Sequence, residues 1–281
     1  MKSKRHIILL LELILCIFII NAQDKNTNRP FFFVQLTDMQ FGMHDNKNFE
    51  IETILYEKAV NEINKLKPDF VILTGDLVNN PEDMAQIREF ERITAKIDSK
   101  IPVFLTYGNH DAVNMSQVSD IGKNVKGSKT GSFSFRHKGT QFIGINSNFI
   151  KSEDQNIEQK QYDWLKDELK KSNDTQHIII FSHYPFFIKS FDERETYSNI
   201  GIGNRTKYLN LFSENKVKAV FSGHLHRNAY AKFKEIELVI TSSLGKPLGD
   251  DPSGLRIIKV YEDKIMHEYY GLDCIPDSIN F

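Results

Sequence analysis

The hydrophobic positions fall into two kinds of segment that alternate along the first half of the chain. Short, nearly continuous apolar runs begin with FFFVQL at Phe31 and are typical of strands buried inside a sheet. Longer segments such as ETILYEKAVNEINKL carry apolar residues, among them Leu55, Ala59 and Ile63, at helical spacing. The same pattern predicts strands at FVILTG, IPVFLTYG, HIIIFS and KAVFSG, and helices at PEDMAQIREFERITAKI (opened by Pro81), EQKQYDWLKDELKKS and NRTKYLNLFSEN.

The second half of the chain is richer in strands. SFSFRH and TQFIGINS are separated by Lys138-Gly139, which predicts a β-hairpin. Four closely spaced short runs, AYAKFK, IELVITSS, GLRIIKVY and KIMHEYY, favour antiparallel pairing. This order of elements predicts an α/β fold with two β-sheets and outer helices, in one domain over residues 31–281 that follows a polar linker at 23–30.

The N-terminus has the pattern of a secretory signal peptide over residues 1–22. MKSKRH is positively charged, IILLLELILCIFII is apolar, and Ala22 is a candidate last residue before cleavage. We therefore expect a secreted or periplasmic protein without a membrane span in its mature form; an uncleaved N-terminal anchor is the alternative. Removal of the signal leaves Cys274 as a single thiol, so no intramolecular disulfide is expected.

Composition narrows the function classes. Hydrophobic residues make up 40% and charged residues 26%, as expected of a globular domain, and the formal net charge is −1. The chain has neither a global basic field nor a basic stretch interleaved with aromatic residues. Both features argue against a nucleic-acid partner and against a plain nuclease.

Polar side chains follow five of the predicted strands at the point where each strand ends. Any one of these groups suits a turn, but ligands of open α/β sheets lie outside the carboxyl ends of the strands, so all five would meet in one cleft. The groups are Asp38 with Gln40, Asp76, Asn109 with His110 and Asp111, His183, and His224 with His226.

The donors in this set are oxygen and imidazole, without sulfur. Such ligands suit Mn, Fe or Zn as divalent ions. Seven side chains (Asp38, Gln40, Asp76, Asn109, His183, His224 and His226) are too many for one tetrahedral zinc and fit two ions that share a bridging carboxylate.

The motifs DMQ, GDLVNN, GNHD, FSHYP and GHLHRN, in this order, resemble those of the calcineurin-like metallophosphoesterases. Together with ELVITSSLGKPLGDDPSGLRIIKVY they resemble a Gln-containing branch that includes Ser/Thr protein phosphatases. The resemblance spans roughly residues 31–270 and implies two mixed sheets sandwiched between helices. It also implies one metal on Asp38, Gln40, Asp76 and His226 and another on Asp76, Asn109, His183 and His224, with Asp76 as the bridge.

The chain departs from the family pattern at two points. Most members have His where Gln40 stands, and a neutral amide oxygen is a weaker ligand; His44 is an alternative donor. The Arg that follows the GD motif in calcineurin-type protein phosphatases is absent from GDLVNN, so Arg227 or Arg205 is a candidate substrate contact.

The expected reaction is hydrolysis of a phosphate monoester by a hydroxide that bridges the two metals. By resemblance His110 assists the leaving group, and either Asp111 or Asn79 orients its imidazole. The substrate would be a phosphorylated small molecule or a phosphoprotein, and the loops at 112–130 and 187–204 would set specificity. The alternatives are a nucleotide pyrophosphatase or phosphodiesterase on the same site, or a non-catalytic interaction module.

Overall fold

The structure is a computed structural model that describes residues 29–111, 125–126 and 130–281. The predicted signal peptide, nearly all of the predicted linker and most of the 112–130 loop lie outside these residues. Within the described ranges, none of the helices is both long enough and apolar enough to cross a membrane.

Twelve strands and five helices make up the described fold. The strands are β1 (Phe31–Leu36), β2 (Val71–Thr74), β3 (Val103–Thr106), β4 (Val125–Lys126), β5 (Phe133–His137), β6 (Thr140–Gly144), β7 (His177–Phe181), β8 (Ala219–Ser222), β9 (Ala229–Phe233), β10 (Ile236–Ile240), β11 (Gly254–Val260) and β12 (Ile265–Gly271). The helices are α1 (Glu50–Leu66), α2 (Met84–Thr94), α3 (Ser147–Lys151), α4 (Gln155–Lys170) and α5 (Ile202–Glu214).

The strands form two six-stranded mixed sheets, in the orders β12-β11-β1-β2-β3-β4 and β5-β6-β7-β8-β10-β9. In the first sheet β1, β2 and β3 are mutually parallel, and in the second β6, β7 and β8 are parallel. The carboxyl ends of these central strands therefore lie together at one edge of each sheet. The predicted fold of two mixed sheets flanked by helices is confirmed.

Alternation along β1 explains how the layers pack. Phe31 and Phe33 face the second sheet, in a cluster with residues of β7, β8 and β10, whereas Phe32, Val34 and Leu36 pack against α1 and α2. The helices α3, α4 and α5 cover the outer face of the second sheet in a third cluster. A fully apolar run such as FFFVQL suits this position because both faces of the strand are buried.

Most of the predicted elements are present with shifted ends. The helix predicted to open at Pro81 begins at Met84, because the Asp83 side chain accepts a hydrogen bond from the Ala85 amide and caps it. The Lys138-Gly139 hairpin is present, with both residues at positive φ. The last four strands pair antiparallel in twos, β9 with β10 and β11 with β12, but the two pairs belong to different sheets.

Candidate metal centre

The strand ends bring the seven predicted donors to the edge where the two sheets meet. Asp38, Asp76 and Asn109 follow β1, β2 and β3, and the histidines follow β7 and β8. A hydrogen bond joins the two halves directly, because the His224 amide donates to Asp38 Oδ2 over 3.0 Å. The parallel order of the strands therefore places donors from both sheets in one site.

The backbone of the site is left-handed at five of the seven predicted donors. A positive φ is uncommon for residues other than glycine and costs roughly 1–3 kcal/mol at each position. Such turns let the chain change direction directly after a strand, where these donors lie. The five are Asp38 (φ 54°), Gln40 (φ 43°), Asp76 (φ 49°), His224 (φ 70°) and His226 (φ 52°).

Two glycines let these turns approach each other closely. A Cβ on Gly108 would lie 2.1 Å from Asp76 Oδ1, and a Cβ on Gly223 would lie 1.9 Å from Thr37 Oγ1. Neither position has room for a methyl group. The glycines in GNHD and GHLH are therefore required by the packing around the donors.

One group of donors surrounds His183. Its Nε2 lies 3.2 Å from Asp76 Oδ2, 3.1 Å from His224 Nδ1 and 3.1 Å from Asn109 Oδ1. The three ionisable side chains are buried, and their donor atoms lie within 4.8 Å of one another. This arrangement matches the second ligand set that the family resemblance implies.

A second group shares Asp76 with the first. Asp38, Asp76 and His226 have donor atoms within 4.8 Å of one another, and Asp38 Oδ1 lies 3.3 Å from His226 Nε2. Gln40 belongs to the same region: its Oε1 is buried without a hydrogen-bond partner, while its Nε2 contacts Asn79. A buried amide oxygen without a donor costs free energy, so it fits a position opposite a cation.

The tautomers of two histidines show that the site requires positive charge. The Nδ1 of His183 faces the Thr74 carbonyl at 2.8 Å, and the Nδ1 of His226 faces the Lys246 carbonyl at 2.6 Å. Each Nδ1 must carry a proton to donate a hydrogen bond to a carbonyl, so in the neutral ring each Nε2 carries an unprotonated lone pair. These lone pairs face the carboxylates of Asp76 and Asp38, an arrangement that is favourable only with a proton or a metal ion between them.

The pKa values of the histidine and aspartate donors agree with a requirement for positive charge in the site. Burial opposes protonation of His183, but the Asp76 carboxylate outweighs burial and raises the pKa of that imidazole to about 9. Burial and the neighbouring charge of His183 lower the pKa of His224 to about 4. Burial alone would raise the pKa of Asp38, yet His226 holds it well below its usual range. The donor set therefore fits divalent cations.

His110 lies beside the donors without belonging to either group. Its amide donates to Asp76 Oδ1 over 2.9 Å, and its Nδ1 lies 2.8 Å from the Asn79 carbonyl oxygen. Asn79 is thus the residue that orients the imidazole, through its backbone. Asp111, the other predicted orienting residue, is fully buried and accepts hydrogen bonds from the Leu77 and Gly108 amides, so it positions the two loops that carry the donors.

Three other candidates differ in their positions. Arg205, predicted as a substrate contact, is fully buried; its guanidinium donates to the carbonyls of residues 186, 191, 193 and 200, so that prediction is wrong. Arg227 is exposed next to His226. His44 pairs with Glu52 at 3.1 Å and belongs to neither donor group of the described residues.

Tyr197 lies over the donors, although the sequence did not single it out. Its hydroxyl accepts a hydrogen bond from Asn109 Nδ2 over 2.9 Å, and its ring centroid is 4.9 Å from that of His224. The residue belongs to the 187–204 segment that was predicted to set specificity. Nothing in the local pattern around TYSN distinguishes it from an ordinary loop tyrosine.

Comparison with known proteins agrees with this geometry. Residues 33–228 match the family model described as calcineurin-like phosphoesterase, and the chain belongs to that family. With its candidate metal ligands, family membership makes the protein a metal-dependent phosphoric ester hydrolase.

Two named relatives and one solved structure show the extent of the similarity. The chain is 35% identical over 278 residues to the cattle protein named Serine/threonine-protein phosphatase CPPED1, covering 92% of this chain and 89% of that one. Its human counterpart is 35% identical over 277 residues, covering 91% and 88%. Among solved structures, a dimetal phosphatase from zebrafish superposes with a TM-score of 0.68 at 15% identity, covering 86% of this chain and 96% of that one.

Proposed function

We propose that this protein hydrolyses phosphate monoesters with two divalent metal ions that share the carboxylate of Asp76. The observation that carries the proposal is the pair of buried donor groups, each with at least one histidine, that have Asp76 in common. The similarity to relatives named Ser/Thr phosphatases supports the choice of monoesters over diesters.

Each ion would have four protein ligands. Neutral amide oxygens from Gln40 and Asn109 would complete the two groups of carboxylates and imidazoles, a donor set that suits Mn, Fe or Zn. When bound, the ions would neutralise the phosphoryl oxygens and make a water molecule more acidic. The first set is Asp38, Gln40, Asp76 and His226, and the second is Asp76, Asn109, His183 and His224.

His110 would supply a proton to the leaving oxygen. Its Nδ1–H is committed to the Asn79 carbonyl, which leaves Nε2 as the atom that can meet a substrate. The hydrogen bond from the His110 amide to Asp76 keeps this imidazole next to the donors.

The substrate class follows from the relatives and from the exposed side of the site. A phosphoprotein or a phosphorylated small molecule would present its phosphoryl group to the donors, with the exposed Arg227 as a candidate contact. The signal-peptide pattern at the N-terminus adds export to the proposal and favours substrates outside the cytosol.

The test pairs elemental analysis of the purified protein with two substrates. We expect bound Mn, Fe or Zn and chelator-sensitive hydrolysis of p-nitrophenyl phosphate, with much slower hydrolysis of bis-p-nitrophenyl phosphate. Preference for the diester would instead indicate a phosphodiesterase or nucleotide pyrophosphatase. Absence of both metal and activity would indicate an interaction module and would contradict the proposal.

A further inference from the structure

Residues 185–201, the 185–201 loop, connect Tyr184 after β7 to the start of α5 without regular secondary structure. Arg205 of α5 holds this loop in place, because its buried guanidinium donates hydrogen bonds to four of the loop's carbonyl groups. A charged side chain that is taken out of water to bind carbonyls holds the loop in one conformation, because moving the loop would leave the charge unpaired.

The side chains of Lys151, Glu193 and Asn199 also hold the part of the loop nearest the site, and Asn199 Oδ1 accepts from the Thr196 amide over 2.7 Å. Lys151 of α3 donates to the carbonyls of Thr196 and Asn199 over 3.1 and 2.6 Å. Glu193 accepts from the Ile188 amide and from Asn199 Nδ2. Tyr197 therefore stands on a short stretch of chain that is anchored on both sides.

Tyr197 lies open to solvent on this anchored loop. Its side chain is 66% exposed, although the backbone around it is held by buried groups. Single exposed aromatic residues are ordinary on protein surfaces, so the contacts of Tyr197 rather than its exposure indicate its role. Its ring meets that of Tyr184 edge-on with centroids 6.5 Å apart, and two further contacts, Asn109 and His224, are both proposed metal ligands.

The orientation of the Asn109 amide determines what the Tyr197 hydroxyl can do. Asn109 Oδ1 faces His183 Nε2 and the other donors, so its Nδ2 points away from them and donates to Tyr197. The hydroxyl is an acceptor in that bond and keeps its own proton to give to another group. The hydroxyl oxygen lies 2.9 Å from Nδ2 of Asn109, a proposed ligand, on a residue that is open to solvent.

We propose that Tyr197 is a substrate-binding residue whose hydroxyl donates a hydrogen bond to an oxygen of the substrate's phosphoryl group, while its ring forms one wall of the substrate site. The inference rests on the proposed phosphatase function and adds to it a phosphate contact. It also explains how the site manages without the Arg that is missing from GDLVNN, since a tyrosine donor reaches the phosphoryl group from another loop.

We expect the ring of Tyr197 to favour substrates with apolar leaving groups. The ring of Tyr197 contacts the proposed ligand His224, and the exposed Leu248 lies near His226, because its amide donates to the His226 carbonyl over 2.8 Å. We expect an aromatic or apolar leaving group to be hydrolysed better than a small polar one such as glycerol, because only the former covers these surfaces.

The experiment compares Tyr197→Phe and Tyr197→Ala with the wild-type protein as purified with its metals. Loss of the hydroxyl in Tyr197→Phe removes one hydrogen bond to a charged group, so kcat/KM for p-nitrophenyl phosphate is expected to fall about tenfold or more. Tyr197→Ala is expected to fall further and also to reduce the preference for p-nitrophenyl phosphate over glycerol phosphate. Tyr230→Phe, at another exposed tyrosine on β9, is the matched control and is expected to behave as wild type.

A second measurement does not depend on turnover. Calorimetric titration with inorganic phosphate is expected to show about tenfold weaker binding to Tyr197→Phe than to wild type, with equal metal content by elemental analysis. Unchanged phosphate affinity and unchanged kcat/KM in this variant would overturn the inference and leave the proposed phosphatase function standing.

The structural alternative predicts a different result. If Tyr197 only oriented Asn109, Tyr197→Phe would lose metal, and saturating metal would restore both phosphate affinity and turnover; that outcome also overturns the inference. A wild-type protein that neither binds phosphate nor hydrolyses any ester would remove the proposed function and this inference together.

Discussion

At the scale of single residues, Asp76 is the point that the two donor groups have in common. Its Oδ2 faces His183, and its Oδ1 accepts the His110 amide, so one carboxylate joins the donors to the proposed acid. Its left-handed backbone is strained for a residue with a side chain, which is the pattern expected where function requires one fixed direction.

The first prediction concerns this shared carboxylate. Asp76→Ala is expected to lose both metal ions together, because each proposed ligand set loses its only common member. Elemental analysis of the purified variant measures the loss, and Gln40→Ala, which removes one neutral ligand, serves for comparison and is expected to retain more metal. One full equivalent of metal in Asp76→Ala would show that the carboxylate does not bridge.

The second prediction separates catalysis from metal binding. His110→Ala is expected to keep both metals and to lose about 10²–10⁴-fold in kcat, the usual contribution of a positioned general acid. Its imidazole has a backbone carbonyl at Nδ1 and belongs to neither donor group among the described residues. A loss of metal in proportion to the loss of activity would make His110 a ligand and contradict its role as an acid.

At the scale of secondary-structure elements, the turns after the strands carry the site. The loops after β1 and β8 touch where Gly223 packs against Thr37 and Asp38. Glycine has no side chain that could rotate out of this contact. A larger residue at position 223 would therefore have to displace Thr37 or Asp38.

The third prediction follows from that contact. In Gly223→Ala the new methyl group would lie 2.6 Å from Asp38 Oδ2, so we expect the carboxylate to move and metal affinity and activity to fall about tenfold or more. Gly203→Ala in α5 is the matched control, because nothing lies within 4 Å of its added Cβ. That variant is expected to keep full activity and to gain about 0.5–1 kcal/mol of stability. Equal metal affinity in both variants would contradict the argument.

Some residues of the site could be predicted from the sequence alone, and others could not. Buried strands and the polar residues after them are local patterns, so the positions of Asp38, Asp76 and His183 could be predicted from the chain. The roles of Tyr197, Arg205 and Asp111 could not, because they depend on which distant backbone groups a loop brings near. The short helix α3 and the two-residue strand β4 have too few residues to show a period.

At the scale of the whole molecule, the layer between the two sheets changes in character along its length. Away from the site it is filled with phenylalanine rings, among them Phe33, Phe70 and Phe142. Next to the site it becomes polar: Gln35 donates to the Ser222 carbonyl and accepts from Thr241, which ties the sheets together under the donors. The aromatic part supplies the stability that the strained, polar part does not.

The fourth prediction tests whether the aromatic part of the layer between the sheets supplies most of the stability. Phe70 is 2% exposed and stacks on Phe33 with ring centroids 4.8 Å apart, so Phe70→Ala is expected to destabilise the fold by about 3–5 kcal/mol. Urea unfolding measures the change, and Phe281→Ala, at a ring that is 56% exposed, is the control with an expected loss below about 1 kcal/mol. Equal losses in the two variants would mean that the rings between the sheets are not the main source of stability.

The division of donors between the two sheets has a consequence for how the protein matures. Each proposed ion takes ligands from the segment 38–109 and from the segment 183–226, so neither part of the chain holds a complete coordination sphere. During synthesis, tight metal capture must wait until His226 has left the ribosome and the two sheets have docked. Metal uptake would then report that the entire sandwich has assembled, and a truncated chain would bind its ions weakly.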